Sequence, residues 1–145
     1  MKKLVLALSM LAFAGSAAFA DQTLDRQALM KERGKIVGTL SKVVKGEQPF
    51  DAAEVLTALQ ALQANAEKFD VEVLFPAGSD SGDTTASPKI WEDMAGFKAA
   101  EDKYLADVKA AHAAAPADVD ALKTQLGMLG GACGTCHKAY RVKKS

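Results

Sequence analysis

The chain has 145 residues, 49% of them hydrophobic, with 18 basic and 18 acidic side chains. This length suits one domain with one core and is too short for two. Nucleic-acid binding depends on clustered Lys and Arg side chains that neutralise phosphates, and the basic residues here form no dense patch, so the composition excludes a nucleic-acid partner.

The first twenty residues have the pattern of a secretory signal peptide. Lys2 and Lys3 precede an apolar stretch over residues 4–13, and Ala18-Phe19-Ala20 is typical of the segment before a cleavage site. A membrane anchor is the alternative, but the stretch is shorter than the ~20 residues needed to span a bilayer. We therefore predict a signal peptide over 1–20, cleavage after Ala20, and a periplasmic domain over 21–145. Losing Lys2 and Lys3 leaves 16 basic against 18 acidic residues, a net charge near −2.

Four apolar stripes with helical spacing follow this leader. The second is the most regular, with alternating steps of three and four: Ala52, Val55, Leu59, Leu62, Ala66 and Phe69. Such a stripe lets an amphipathic helix bury one face. Helix-breaking and capping residues separate the stripes: Gly46 and Pro49 before Asp51, a Gly- and Ser-rich segment over 76–82, Ser87-Pro88, and Pro116 before Asp118.

These signals predict helices over residues 22–45, 51–68, 87–114 and 118–142. No segment alternates with the period of two that marks a half-buried strand, so no sheet is expected. Short connections make sequential helices antiparallel. The predicted fold is all-α, an antiparallel up-down-up-down four-helix bundle.

The two cysteines of the chain lie in Cys133-Gly134-Thr135-Cys136-His137, the C-x-x-C-H pattern of haem attachment. Residues three and four apart share one face of a helix, so both thiols can reach the vinyl groups on one edge of a porphyrin while His137 faces the iron. We predict one covalent haem c, bound through Cys133 and Cys136, with His137 as an axial ligand of the iron.

Three other roles of a C-x-x-C pair fit the sequence less well. A structural zinc site needs four ligands, whereas the chain has two cysteines and two histidines, and His112 lies beyond an intervening turn. A thioredoxin-like pair begins a helix beside a strand, whereas this pair lies near the end of the last predicted helix. A plain disulfide would leave His137 without a role.

Further segments share the pattern of one known family. They are Arg26-Gln27 with Met30-Lys31, Lys45-Gly46-Glu47 with Phe50-Asp51, Leu74-Phe75-Pro76, Gly82-Asp83, Pro88-Lys89-Ile90-Trp91, and the closing residues 136–141. Together with C-x-x-C-H near the C-terminus, they resemble the class II c-type cytochromes, that is, cytochrome c′ and its low-spin relatives of the c556 type. The resemblance covers the whole mature chain and implies a four-helix bundle with its haem near the last helix.

The resemblance also implies which residues face the haem. Arg26 and Met30 are four residues apart and share a face of the first helix. Arg26, with Gln27 beside it, is expected near the haem propionates, because a guanidinium pairs well with carboxylates. Asp83 is expected at the haem edge. Met30 is expected over the iron on the side opposite His137.

Met30 leaves two outcomes open. If its thioether binds as the sixth ligand, the iron has the His/Met ligation of electron-carrying cytochromes, as in c556-type relatives. If Met30 only packs over the haem, the iron is five-coordinate and can take a small gas, as in cytochrome c′. Methionine also fills irregular gaps in many cores without any such role.

Three function classes follow from these alternatives. An electron carrier is predicted first, with redox proteins of a periplasmic electron-transport chain as partners. A five-coordinate protein that binds NO or CO is the alternative. A haem peroxidase would need an acid/base residue over the iron, where the chain has Met30, so we predict no enzymatic activity. The sequence leaves a homodimer, the arrangement of cytochrome c′, open.

The remaining distinctive side chains are assigned structural roles. Met94, Trp91 and Phe97 are predicted to pack in the core. His112, at the alanine-rich end of the third predicted helix, is expected in solvent. Arg141 follows His137 by one turn and is expected as a helix-end cation; relatives suggest that it also acts on ligands at the His137 side.

Overall fold

The computed structural model describes residues 14–143, with side chains from residue 22 onward. Six helices lie in this part of the chain, four of them long: α1 (Ala14–Val44), α2 (Ala52–Glu67), α3 (Val71–Leu74), α4 (Lys89–Glu92), α5 (Met94–Ala114) and α6 (Val119–Tyr140). Each long helix packs against two others. The predicted all-α four-helix bundle is therefore confirmed.

Helices and the segments that connect them account for the described residues. Between residues 14 and 143 there is no strand, only an isolated bridge between Ala86 and Arg141. Within the same range, no helix combines the length and the apolar character that crossing a bilayer requires.

Residues 1–13 of the predicted leader lie outside the described residues, and residues 14–20 are the first turns of α1. Cleavage after Ala20 stays a prediction.

Aspartates cap the starts of four helices, α2, α3, α5 and α6. The carboxylate of Asp51 accepts a hydrogen bond from the N–H of Glu54, and that of Asp118 accepts from Ala121. These contacts satisfy backbone N–H groups that have no partner within the helix. Gly46 adopts a φ of +73° in the turn that follows α1. A left-handed conformation of this kind suits glycine and reverses the chain direction between α1 and α2.

The predicted third helix, 87–114, is wrong as a continuous element. It is broken at Asp93, whose φ of −137° ends α4 while its carboxylate accepts from Gly96 N–H at the start of α5. The same carboxylate accepts from the Tyr140 hydroxyl of α6 at 2.8 Å. An added Cβ at Gly96 would lie 2.6 Å from that hydroxyl oxygen, so the close approach of α5 and α6 requires glycine there.

Two groups of buried side chains divide the interior. The bundle core lies between the four long helices and contains Leu40, Val43, Val55, Leu59, Leu62, Ala66, Tyr104, Val108, Ala111, Leu122 and Leu129. The aromatic cluster lies towards the short helices and contains Phe69, Val71, Leu74, Phe75, Ile90, Phe97 and Tyr140. Cys133 packs against the bundle core, whereas Cys136, one turn later, packs against the aromatic cluster. The C-x-x-C-H segment thus lies at the boundary between them.

Candidate functional site

A cavity of about 530 Å³ opens between α1, α6 and the segment before α4. Its apolar walls come from the aromatic cluster, through Phe69, Phe75, Ile90, Phe97 and Tyr140. Most of its polar lining comes from α1, from α6 and from residues 83–86, which we call the cavity loop. Concave, largely apolar volumes of roughly 300–1,000 Å³ with a few placed polar groups are the usual form of cofactor sites.

The α6 wall of the cavity contains Cys136, His137 and Arg141. Cys133 does not line it, because this side chain lies one turn earlier on the side of the bundle core. Both cysteines are free. Burial raises the pKa of the Cys133 thiol and raises that of Cys136 to about 11. A thioredoxin-like attacking thiol requires the opposite shift, so this environment argues against that alternative.

The surroundings of His137 favour the neutral form of its imidazole. Burial lowers its pKa first, and the positive charges of Arg141 and Arg33 lower it further. The neutral imidazole is the form that binds a metal. Among the described residues, no group of three or more His, Cys, Asp and Glu side chains converges on a point that could hold a metal ion.

The α1 wall contains Arg26, Gln27, Met30 and Lys31. Met30 is partly buried and packs against the aromatic cluster. The sequence-predicted residues of the first helix therefore face the same cavity as Cys136 and His137. What the structure adds is Lys31, a cation on this wall that the sequence analysis did not single out as a site residue.

Arg26 is buried, with 5% of its surface exposed, and its guanidinium is already engaged by protein groups. It donates to the backbone oxygens of Leu74 and Ser79 and to the Ser79 hydroxyl. Its Cζ also lies 4.2 Å from the centre of the Phe75 ring, a cation–π contact. Arg26 thereby ties α1 to the segment after α3. Its expected role at the propionates stays a prediction.

The cavity loop is tied to both neighbouring helices. The Gln27 amide donates to the backbone oxygen of Asp83 at 2.8 Å. At the other end, Val142 N–H donates to Thr85 O at 2.9 Å, and Ser87 N–H donates to Tyr140 O at 3.0 Å. Asp83 lines the cavity, so the structure brings six of the seven predicted site residues to one cavity, and Cys133 adjoins it on α6.

A buried polar cluster beside the cavity was missed by the sequence analysis. Arg33 and Glu101 form an ion pair with N–O distances of 2.7 and 3.3 Å, and both side chains are only 8% exposed. The Arg33 Nε–H also donates to Asn65 at 3.0 Å. Glu101 lines the cavity. The sequence did contain an indication of this cluster. Arg33, Asn65 and Glu101 each lie three or four residues from apolar residues on the face that their helix buries.

The predicted core packing is confirmed for three residues, and the predicted position of one histidine is wrong. Phe97 is buried in the aromatic cluster, and Trp91 and Met94 pack against it. His112 was expected in solvent, but it is partly buried and its Nδ1 lies 2.9 Å from the Gln63 amide oxygen on α2. Since α5 packs closely on α2 along this stretch, a side chain on that face meets a polar partner rather than water.

Comparison with known proteins is consistent with this architecture. The family described as Cytochrome C′ matches residues 21–141. A cytochrome c-556 from Agrobacterium fabrum is 40% identical over 131 residues, covering 90% of this chain and 88% of its own. A cytochrome c′ from Rhodopseudomonas palustris is 38% identical over 134 residues, with the same coverage of 90% and 88%.

Solved structures are similar over nearly the same range. Cytochrome c prime from Shewanella frigidimarina superimposes with a TM-score of 0.79 at 32% identity, covering 86% of this chain and 97% of that one. A nitric oxide complex of a variant of cytochrome c prime from Alcaligenes xylosoxidans gives 0.77 at 32% identity, covering 87% and 97%.

Proposed function

Because the chain belongs to the cytochrome c′ family, we propose that it is an exported electron carrier whose haem is bound through Cys133 and Cys136, with His137 as an axial ligand. The family carries haem c, and so does this chain: one covalently attached haem with its iron. When bound, haem supplies a one-electron redox couple. The protein's contribution is to hold, shield and tune that couple.

The observation that supports the proposal most strongly is the content of one cavity. It is lined by Cys136 and His137 from α6 and by Met30 from α1. One cysteine thiol that can form a thioether, one imidazole and one methionine thioether therefore line the same concave, largely apolar cavity of about 530 Å³. The donor types and the volume fit a haem. Cys133, one turn before Cys136, is within the same helix and completes the attachment motif.

Cationic groups on the wall supply the counterpart of the haem carboxylates. Arg26, Lys31 and Arg141 all line the cavity, and guanidinium and ammonium groups pair with carboxylates by charge-assisted hydrogen bonds. The Arg26 guanidinium already donates to the Leu74 and Ser79 backbone oxygens. We therefore assign Lys31 and Arg141 to the propionates in addition to Arg26. Gln27 and Asp83 act by holding the cavity loop over the site.

The two histidines of the chain do not favour a peroxidase-type role. The chain has two histidines; His137 is the proposed iron ligand, and His112 contacts Gln63 between α5 and α2. A peroxidase-type mechanism needs an imidazole or a comparable proton carrier over the iron. Of the α1 residues that line the cavity, we propose that Met30 lies over the iron. The chain is thus a haem protein of the electron-carrying or gas-binding kind.

Gas binding is the second candidate, and one observation favours it. A structural relative with a TM-score of 0.77 is a nitric oxide complex of a cytochrome c prime. The deciding group is Met30, which packs against the aromatic cluster. If its sulfur does not coordinate, the open position of the iron can take NO or CO in a crowded apolar pocket.

Replacing Met30 by leucine separates the two candidates. The volume is nearly kept but the thioether is lost, so an electron carrier with His/Met ligation becomes five-coordinate and high-spin. We expect the oxidised wild type to be low-spin and its ferrous Soret band to be unmoved by CO, whereas ferrous Met30→Leu binds CO fully. Optical spectra with and without CO measure both.

Met94→Leu is the matched control, because Met94 packs against the same aromatic cluster without lining the cavity. Its spectrum should equal that of the wild type. A wild type that is already high-spin and binds CO, with no further change in Met30→Leu, would contradict Met30 ligation and leave the gas-binding candidate.

The setting of the function follows from the leader and the charge. We assign the mature domain to the periplasm and its exchange to redox proteins of an electron-transport chain there. The predicted mature net charge near −2 is small, so long-range steering of such partners would depend on local patches rather than on the whole molecule. Sedimentation of the holoprotein distinguishes a monomer from a homodimer.

A further inference from the structure

The Arg33–Glu101 pair occupies a position that stability does not explain. Both residues are among the most buried charged groups of the described chain, 7% and 6% exposed. A buried ion pair is on average no more stabilising than well-packed apolar residues of the same volume, because desolvation of two charges offsets their attraction. A charged pair retained inside an apolar stripe, at the wall of a cofactor cavity, therefore calls for another role.

The two residues of the ion pair differ in their position relative to the cavity. Glu101 is one of the lining residues and Arg33 is not. The guanidinium is held by three neighbours: its Nε–H donates to Asn65, and its Cζ lies 5.1 Å from the Phe69 ring centre and 4.3 Å from that of Tyr104. Glu101 thus borders the cavity, while its counter-ion Arg33 is not among the lining residues.

Polar contacts make this arrangement rigid. The Asn65 amide donates to Leu29 O at 3.1 Å and to the Glu32 carboxylate at 2.8 Å, which links α2 to α1. Asn65 is 1% exposed. With Glu101 on α5, three helices meet in one hydrogen-bonded cluster. A fixed charge in a low-dielectric interior acts on its neighbours more strongly than a mobile charge in water does.

We propose that Glu101, held by Arg33, is an electrostatic determinant of the reduction potential: its carboxylate favours the oxidised haem, and Arg33 limits the effect by neutralising the pair. The inference rests on the proposed haem function. Oxidation of a haem adds one positive charge, so a carboxylate on the cavity wall stabilises the product. Burial and second-sphere charges of this kind are recognised means by which proteins set haem potentials.

Glu101→Gln is the direct test. The change keeps the side-chain shape, removes the negative charge and leaves Arg33 uncompensated, and both effects favour the reduced form. At a fixed solution potential, we expect the ratio of reduced to oxidised protein to rise about tenfold. This corresponds to a reduction potential that is higher by about 59 mV for a one-electron couple. In Arg33→Gln/Glu101→Gln the pair is neutral again, and most of this shift should disappear.

The control lies on the same helix. Asp102 forms an exposed ion pair with Lys98, and Asp102→Asn removes one negative charge from a side chain that is 63% exposed. Water and salt screen that position, so the potential should stay close to that of the wild type. All potentials are measured by spectroelectrochemical titration of holoprotein whose covalent haem is first verified by mass.

Three results would overturn the inference: an unchanged potential in folded Glu101→Gln, an equal shift in the double variant, or an equal shift in Asp102→Asn. If Glu101→Gln does not fold, Arg33→Gln replaces it, because this substitution removes the neutralising cation, keeps an amide that can donate to the Glu101 carboxylate, and must lower the potential. Haem-loaded variants without a shift would leave the proposed function intact, whereas a wild type without haem would defeat that function itself.

Discussion

Replacing Cys133 and Cys136 together by alanine is expected to abolish covalent haem attachment and to leave a poorly folded chain. The cavity of about 530 Å³ lies between α1, α6 and the aromatic cluster, and interiors are otherwise close-packed. A group bound to the folded state alone contributes about 2.7 kcal/mol at a hundredfold excess over its Kd, and tethering raises its effective concentration further. We therefore expect the free energy of unfolding to fall by at least ~3 kcal/mol.

Thermal melts followed by helical circular dichroism, with intact mass, measure this loss. Cys133→Ala and Cys136→Ala, made singly, should each weaken attachment, since each removes one thioether. Thr135→Ala is the matched control between them: its exposed hydroxyl donates only to Gly131 O of its own helix, so haem content and melting should be unchanged. A double cysteine variant that melts like the wild type would show that haem is not needed to complete the core.

Arg26→Ala is expected to have the second largest effect, a loss of about 3 kcal/mol in the free energy of unfolding. The substitution removes the donors to the Leu74 and Ser79 backbone oxygens and the cation–π contact with Phe75. Buried acceptors without a partner carry a desolvation cost beyond the value of the bond itself. The segment after α3 would then lose its buried hydrogen bonds to Arg26 of α1. Urea denaturation of the holoprotein measures the effect.

Two further variants identify what Arg26 does. Arg26→Lys keeps the charge but loses the planar fork that reaches several acceptors at once, so it should recover only a minor part of the stability. Gln27→Ala removes one exposed hydrogen bond, to Asp83 O, and should cost under about 1 kcal/mol. If Arg26→Lys were as stable as the wild type, charge alone would be the contribution of this residue, as expected from a purely propionate-pairing role.

The bundle could be predicted from the sequence because its signals are local. Apolar steps of three and four mark the four long helices, and the carboxylates of Asp51 and Asp118 cap helix starts as the sequence indicates. The C-x-x-C-H spacing carries its own geometry, since residues three and four apart share a helix face wherever the helix lies. The cavity contacts of Met30 and Arg26 followed from family resemblance, not from periodicity.

The features that were missed depend on contacts between distant residues. The break at Asp93 is fixed by the Tyr140 hydroxyl, 47 positions away in the sequence, and no local signal shows that α6 supplies a donor there. The partners of Arg26 lie 48 and 53 positions away. Arg33 and Glu101 were visible as charged residues within apolar stripes, but only the fold shows that they face each other.

The most direct test of the central claim is the intact mass of the purified, exported protein, taken under denaturing conditions after expression with a haem-attachment system. We predict the mass of residues 21–145 plus one haem, with the absorbance remaining on the polypeptide after acid treatment and extraction. A colourless chain with the mass of the bare polypeptide, or a haem that extracts freely, would contradict attachment through Cys133 and Cys136.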